Sequence, residues 1–183
     1  MTTSGSPPGH LEPVLRRASA ADLLRLWLLD RICFEPGIAY SQGELRHFFD
    51  LPGAECVVAE KDKKIAGFAL GYPDPPDRAR VVTLDVDPSF RRRGLGRRLL
   101  ESLLERLAAA GAVRAVLEVD VRNSGAIAFY RELGFGETGR IAGYYGPGRD
   151  AFEMSREESP GPKVPRPTSV QNPKSETRDR RRT

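Results

Sequence analysis

The most constraining feature of this chain is residues 81–97, VVTLDVDPSFRRRGLGR, in which a predicted strand is followed at once by a helix start. The first six residues are mostly apolar or β-branched, and Pro88 ends the strand because proline cannot donate to a sheet ladder. Gly94 and Gly96 stand among arginines where the helix begins. Unpaired amides and the positive end of the helix dipole meet at such a point. The stretch therefore predicts a phosphate or pyrophosphate site at a helix N-terminus.

A simpler interpretation fits the same letters, because arginines before a helix often form only a solvated basic face and two glycines only a tight turn. Two common phosphate loops are excluded. No Gly-Lys-Ser/Thr follows the glycines, and Leu99 stands where a dinucleotide-binding fingerprint has its third glycine. The spacing that remains is Arg91-x-x-Gly94-x-Gly96, directly after Val-Asp-Pro.

Length and composition favour one domain with tails. The chain has 183 residues, 39% of them hydrophobic, and its net charge of +4 sits in short clusters that do not by themselves indicate a nucleic-acid partner. Cys33 and Cys56 have no metal-ligand spacing, which predicts reduced thiols and no metal. The first ten residues lack the apolar run of a secretory signal, and no stretch is apolar enough to cross a membrane. These features favour a cytoplasmic protein.

Hydrophobic periodicity and capping residues predict strands that alternate with helices, an α/β domain on a mixed sheet. Ser19 with Asp22, and Ser41 with Glu44, form two capping-box patterns that begin the first two helices. The predicted strands cover residues 14–17, 55–60, 65–72, 81–86 and 113–119, with a final pair at 135–145 and 149–155. The expected organisation is a disordered tail at 1–12, a domain at 13–156 and a disordered, basic, proline-rich tail at 157–183.

A second segment, LEVDVRNSGAIAFYRELGF at residues 117–135, shows a family resemblance when it is combined with the arginine–glycine loop. The two together closely resemble the GNAT family of N-acetyltransferases, and most nearly its RimI-type members, which acetylate the N-terminal alanine of a ribosomal protein. The pair Tyr144-Tyr145 and the segment RRASAADLLRLWLLDRICFEPG share the resemblance, which covers residues 14–156. It implies a splayed central sheet flanked by helices and acetyl-CoA as cosubstrate.

The resemblance also implies how the cofactor is held. Strand backbone pairs with the pantetheine amides, and the amides of the loop and first helical turn hold the pyrophosphate. Asn123 is most simply a helix N-cap that also touches the cofactor. The expected cofactor-binding residues are Leu84, Asp85, Val86, Arg91, Arg92, Arg93, Gly94, Leu95, Gly96, Arg97, Asn123 and Tyr130.

Acetylation of an amine needs a neutral amine, a polarised thioester carbonyl and a proton for the departing thiolate. The resemblance assigns the base to Glu118 and the acid to Tyr130, a phenol able to protonate a thiolate. Strand alternation places Glu118 on the face opposite Leu117. Without the family, Glu118 would be interpreted as an arginine-paired or exposed carboxylate, and Tyr130 as a core aromatic beside Phe129.

Candidates for acceptor binding are Glu35 and Tyr40, in the loop between the first two helices, together with Tyr144 and Tyr145. Asp120 stands where RimI-type members often have arginine, and an acidic residue there favours a cationic acceptor. Asp85 is unusual beside the expected cofactor path. It is expected either to face the substrate or to pair with an arginine.

The sequence thus favours transfer of acetyl to a protein N-terminal α-amine, by direct attack in a ternary complex. One alternative keeps the enzyme and changes the acceptor to lysine, a polyamine or another small amine. Another is a non-catalytic module that binds acetyl-CoA or nucleic acid. The basic tail around residues 178–182 suggests nucleic-acid binding or a contact with the ribosome.

Overall fold

A seven-stranded sheet forms the centre of the computed structural model, which describes residues 12–74 and 77–158. The predicted tails at 1–12 and 157–183 lie almost entirely outside these ranges. The strands are β1 (Val14–Arg17), β2 (Glu55–Lys61), β3 (Lys64–Asp74), β4 (Arg78–Val86), β5 (Arg114–Asp120), β6 (Gly136–Ile141) and β7 (Ala151–Glu157). The helices are α1 (Leu23–Cys33), α2 (Gln42–Phe49), α3 (Leu95–Ala109) and α4 (Ser124–Glu132), with 3₁₀ turns at Ala20–Asp22 and Pro88–Phe90.

The strand order is β1-β2-β3-β4-β5-β7-β6, and only β4 and β5 run parallel. This is the mixed sheet that the sequence predicts. One boundary in the final strand pair is wrong: β6 ends at Ile141, so Tyr144 and Tyr145 lie in the connection between β6 and β7. The glycines and proline of residues 143–148 favour turns over a ladder there.

The sheet opens at its centre. β4 pairs with β5 only at residues 78–80 against 114–116, so 81–86 and 117–120 do not pair with each other; we call the space between them the interstrand gap. A bulge lies where the gap begins. Leu70 and Gly71 of β3 are opposite Thr83 and Val81 of β4, so Val82 between them has no partner in the β3–β4 register. Bulges bend a strand and increase its twist. Gly71 is required there, since a Cβ would lie 2.7 Å from the Arg80 carbonyl oxygen.

The backbone direction of β4 decides which groups face the gap. Asp87 donates its N–H to the Ala66 carbonyl of β3 at 3.0 Å. Hydrogen-bonding direction alternates along an antiparallel pair, so the backbone of Asp85 also faces β3. The backbone groups of Leu84 and Val86 therefore point away from β3, toward the gap.

Two apolar cores lie on opposite faces of the sheet. One is covered by α3 and α4. Its largest contribution is the buried stripe of α3, Leu95, Leu99, Leu100, Leu103, Leu104 and Leu107. The other core lies under α1 and α2 and includes Leu26, Leu45, Phe48 and Phe68. Both predicted capping boxes are present, and no helix in the described ranges is long and apolar enough to cross a membrane.

An ion-pair cluster fixes the start of the chain to the sheet. Arg16 of β1 lies 2.8 Å from Asp22 and 2.5 Å from Glu60 of β2. Asp22 also accepts from the backbone N–H of Ser19 at 2.8 Å. The bond from Arg16 holds the pKa of Asp22 well below its usual range, although burial opposes it. The cluster therefore contributes stability while Asp22 is ionised.

Replacing Asp22 with Asn should lower the free energy of unfolding in urea at pH 7 by about 1–3 kcal/mol, since a buried charge-assisted network loses its acceptor. The deficit should be full above about pH 4, the ordinary aspartate pKa, and should shrink as the pH falls toward the lowered folded-state value. Asp50→Asn is the matched control, because its pair with Arg46 is 53% exposed on the Asp50 side. An equal loss in both variants would contradict this account.

Candidate active site

The loop before α3 forms a concave set of backbone amides. Arg92 has φ +62° and Gly94 has φ +76°, left-handed values that alternate with ordinary ones. Such alternation turns successive N–H groups toward one point and creates an anion site. Gly94 is the N-cap of α3 and has no side chain to accept from the first-turn amides, so those donors remain available to a ligand. The side chains of Arg91, Arg92, Arg93 and Arg97 are exposed around this loop.

The same loop is tied to the β4 edge. Arg91 donates from Nε to the Val86 carbonyl at 2.9 Å, and the Cys33 thiol of α1 donates to that oxygen at 3.4 Å. Burial, followed by the charge of Asp85, raises the pKa of Cys33 to about 11, so the thiol stays protonated and able to donate. The predicted cofactor residues of β4 and of the loop therefore form one continuous edge of the gap.

Glu118 lies across the gap on β5, and its contacts are specific. One carboxylate oxygen accepts from the Arg80 guanidinium, and the other accepts from the Tyr144 hydroxyl at 3.4 Å. Tyr145 donates its hydroxyl to the backbone carbonyl of Glu118 at 3.1 Å. The Glu118 side chain is only 7% exposed. The candidate base is thus ionically paired and surrounded by phenols, as the simpler sequence interpretation of an arginine-paired glutamate also expects.

Tyr130 lies on the other face of the sheet. Leu117 and Val119 belong to the core under α3 and α4, so Glu118 points to the face of α1 and α2. Tyr130 packs against the α3/α4 core, with ring centroids 5.3 Å from Phe129. The two catalytic candidates therefore arise from opposite faces and can meet only because the strands have parted.

The pKa of Tyr145 is affected by both catalytic candidates. Burial raises its pKa most, and Tyr144, Glu118 and Tyr130 raise it further. Burial, with a smaller contribution from Asp85, also raises the pKa of Tyr130. A phenol in this environment remains protonated and can act as a hydrogen-bond donor or an acid.

Asp85 is placed differently from both sequence expectations. Its side chain is fully buried and accepts from the Thr83 hydroxyl at 2.6 Å, so it neither faces a substrate nor forms an ion pair with an arginine of the described ranges. Burial, followed by the charge of Asp30, raises the pKa of Asp85 well above its usual range. Burial therefore favours the uncharged carboxyl, which supplies no attraction for a cation.

Asp120 and Glu35 are joined through Arg149, which follows the predicted acceptor tyrosines. Arg149 lies 3.0 Å from Asp120 and 3.4 Å from the 76%-exposed Glu35. Burial raises the pKa of Asp120, but the bonds from Arg122 and Arg149 outweigh it and leave the pKa below its usual value. Asp120 is thus an ionised but neutralised carboxylate, which removes the sequence argument that it attracts a cationic acceptor.

Tyr40 lies in the loop between α1 and α2 and is buried beside this group. Its hydroxyl donates to the Val82 carbonyl at the bulge, at 3.3 Å, and its N–H donates to Asp30 at 2.7 Å. Burial raises its pKa most, and Tyr144, Tyr145 and Glu118 add to the effect. The predicted acceptor residues therefore converge at one end of the gap.

Sequence reasoning missed Arg80 and Arg149. The signal for Arg80 is a second arginine at the start of β4, two positions after Arg78 and therefore on the same side of the strand. Arg149 stands directly after a Gly-Pro-Gly turn and has no comparable pattern. Asn123 is the N-cap expected, with Oδ1 accepting from the Ala126 N–H at 3.0 Å.

The geometry can be compared with known proteins. The model of the acetyltransferase (GNAT) family matches residues 23–135, more than half of the chain. The chain belongs to the GNAT family. This confirms the family and fold class expected from the sequence, and it identifies the protein as a member of a family of acyl-transferring enzymes. No three His, Cys, Asp or Glu side chains in the described ranges are placed to hold a metal ion.

Individual relatives extend the comparison. This GNAT chain is 44% identical over 84 residues to the [ribosomal protein bS18]-alanine N-acetyltransferase of Salmonella typhimurium, covering 46% of this chain and 56% of that protein. It is 44% identical over 93 residues to the N-alpha-acetyltransferase RimI of Mycobacterium tuberculosis, covering 50% of this chain and 57% of that protein. The aligned part thus spans little more than half the length of either relative.

A solved structure agrees over a larger extent. The ribosomal-protein-S18-alanine N-acetyltransferase of Escherichia coli superposes on this GNAT fold with a TM-score of 0.73 and 26% identity. The match covers 84% of this chain and 98% of the other.

The buried Asp85 gives a pH test of this site. Because the folded protein keeps the proton that the unfolded chain loses above about pH 4, wild-type stability should fall as the pH rises from there toward the raised folded-state pKa. Asp85→Asn removes this dependence. Relative to wild type, the variant should gain about 1.4 kcal/mol for each pH unit within that window, as measured by urea unfolding.

The control is Asp62→Asn, at an exposed turn position with φ +50°, which should leave the pH slope unchanged. A stability difference for Asp85→Asn that is independent of pH between about 4 and 7 would show that Asp85 is not held neutral.

Proposed function

We propose that this protein transfers acetyl from acetyl-CoA to the α-amine of a protein N-terminus, by direct attack in a ternary complex. The observation that carries the proposal is Glu118, a carboxylate held among phenols on β5, beside the interstrand gap whose other edge is β4. The N-terminal acetyltransferases among the relatives support the same reaction and acceptor class. A ribosomal protein is the acceptor that the Salmonella relative's name suggests.

The residues of this chain fit acetyl-CoA, which supplies the thioester when bound. The outward backbone groups of Leu84 and Val86 suit the amides of a pantetheine arm, which can add to β4 like another strand. The amides of residues 92–97 and the exposed arginines suit a diphosphate. The backbone of Asp85 faces β3, so this residue helps to hold β4 in the sheet and does not contact the pantetheine arm.

Glu118 and Tyr130 divide the proton transfers. A free α-amino group has a pKa of about 8, so most acceptor molecules arrive protonated at neutral pH. Glu118 accepts that proton, directly or through water, on the carboxylate oxygen that only the long bond from Tyr144 engages. Tyr130 then donates a proton or a hydrogen bond to the departing thiolate, and its buried phenol is protonated before the reaction begins.

The charges of the site favour a peptide terminus over a polycation. Asp120 is neutralised by two arginines, Glu118 is paired with Arg80, and the buried Asp85 has a raised pKa that favours its uncharged form. None of these carboxylates is left to bind a second ammonium group. The edge-to-face pair Tyr144 and Tyr145, with ring centroids 4.8 Å apart, instead offers an aromatic wall suited to a peptide backbone.

An acceptor panel tests this proposal. Purified protein with acetyl-CoA should release free thiol with peptides that carry a free N-terminal alanine. It should release far less with the same peptides blocked at the N-terminus and carrying lysine, or with spermidine. Preferred acetylation of spermidine or lysine would replace the acceptor, and no transfer to any amine despite coenzyme A binding would indicate a non-catalytic binding module.

The roles of the two candidates are tested by Glu118→Gln and Tyr130→Phe. Each should lower kcat by about 10²- to 10⁴-fold, the usual contribution of a positioned acid or base. Each should leave the Kd for coenzyme A within about threefold of wild type, since neither removes a phosphate contact. Phe129→Leu is the control on α4, and an equal loss of kcat there would show that Tyr130 is only a packing residue.

A further inference from the structure

We propose that Arg80 is a positioning residue for the reaction, which orients the Glu118 carboxylate. This inference rests on the function proposed above. The two residues come from neighbouring strands at the point where the strands part, since Arg80 is the last residue of β4 that pairs with β5. A cation at this point can contact Glu118, the first carboxylate of β5, on the face toward α1 and α2.

The guanidinium is itself held in place. Arg80 is 15% exposed at its side chain, and it contacts both Glu118 and, at 3.5 Å, the buried carboxylate of Asp74. Asp74 also pairs with Arg78 at 3.0 Å. The result is a fixed row of alternating charges, Arg78, Asp74, Arg80 and Glu118, that runs along the face toward α1 and α2. An arginine fork anchored from behind has little freedom, so it fixes the carboxylate that it binds.

The geometry separates the two oxygens of Glu118. Arg80 engages Oε1, whereas Oε2 accepts a longer contact, at 3.4 Å, from the Tyr144 hydroxyl. Tyr145 holds the Glu118 backbone from the other side. The oxygen available to take the acceptor's proton is therefore Oε2, and its direction is set by the contact on Oε1.

The groups around Glu118 are otherwise acidic or neutral. Glu153 stands directly opposite on β7, and Asp120 follows two positions along β5 on the same face. The phenols of Tyr40, Tyr72, Tyr144 and Tyr145 complete the surroundings from the α1–α2 loop, β3 and the β6–β7 connection. Of the charged groups named here, Arg80 alone contacts Glu118 with a positive charge. Without Arg80, none of the cations named here would contact the Glu118 carboxylate.

The kinetic test compares Arg80→Gln with the control Arg78→Gln. Both variants remove a cation from Asp74, but Arg78 does not contact Glu118. Arg80→Gln should lower kcat at least tenfold, because the carboxylate loses the contact that orients it. KM for acetyl-CoA should stay within about twofold. Arg78→Gln should keep kcat near that of wild type. Equal losses of kcat in the two variants would overturn the proposal.

Arg80→Lys separates charge from orientation and serves if Arg80→Gln does not fold. Lysine keeps the positive charge but not the planar fork. The kcat should therefore still fall at least threefold, although the charge is kept. A lysine variant with wild-type kcat would show that the fork does not position Glu118.

A readout without turnover distinguishes failure of this inference from failure of the proposed function. Carbon-13 NMR of the labelled glutamate carboxyls, with Glu118 assigned through Glu118→Gln, reports the surroundings of that carboxylate directly. At neutral pH its resonance should shift in Arg80→Gln and stay at the wild-type position in Arg78→Gln, whichever amine is the acceptor. An unchanged resonance in Arg80→Gln would overturn the inference even if acetyl transfer is confirmed.

Discussion

After three residue pairs β4 leaves β5, and the backbone groups of Leu84 and Val86 face open space instead of a neighbouring strand. Backbone N–H and C=O groups away from water require partners, so an open edge at the centre of a sheet is a poor place to leave them unpaired. Arg91 and Cys33 satisfy only the Val86 carbonyl. The bulge at Val82 and the close approach at Gly71 are the local causes of the parting. The same parting lets groups from opposite faces of the sheet meet.

Most charged side chains near Glu118 are paired with one another. The row from Arg78 to Glu118 and the bridge from Glu35 through Arg149 to Asp120 each alternate in sign. Pairing fixes the positions of these side chains, at the cost of removing them from water. The exposed arginines lie instead at the other end of the gap, around the start of α3. One end of the gap thus suits a diphosphate, and the other suits an acceptor of low charge.

Local sequence predicts the features that depend on neighbouring residues. Both capping boxes, the α3 leucine stripe and the Asn123 cap follow from spacing alone, and the structure contains them. The position of Tyr144 and Tyr145 in a connection was not predicted, because aromatic residues also favour strands. The contact of Arg80 with Glu118 joins residues that are 38 positions apart in the sequence. The raised pKa of Asp85 depends on its burial and on Asp30 of α1. Both depend on tertiary packing, so local sequence does not predict them.

The most direct test of the central claim is a crystal structure of the protein with coenzyme A. The account predicts pantetheine amides hydrogen-bonded to the backbone of Leu84 and Val86, a diphosphate on the amides of residues 92–97, and the sulfur between Glu118 and Tyr130. A cofactor bound elsewhere, or one that reaches the gap with its sulfur remote from either side chain, would contradict it.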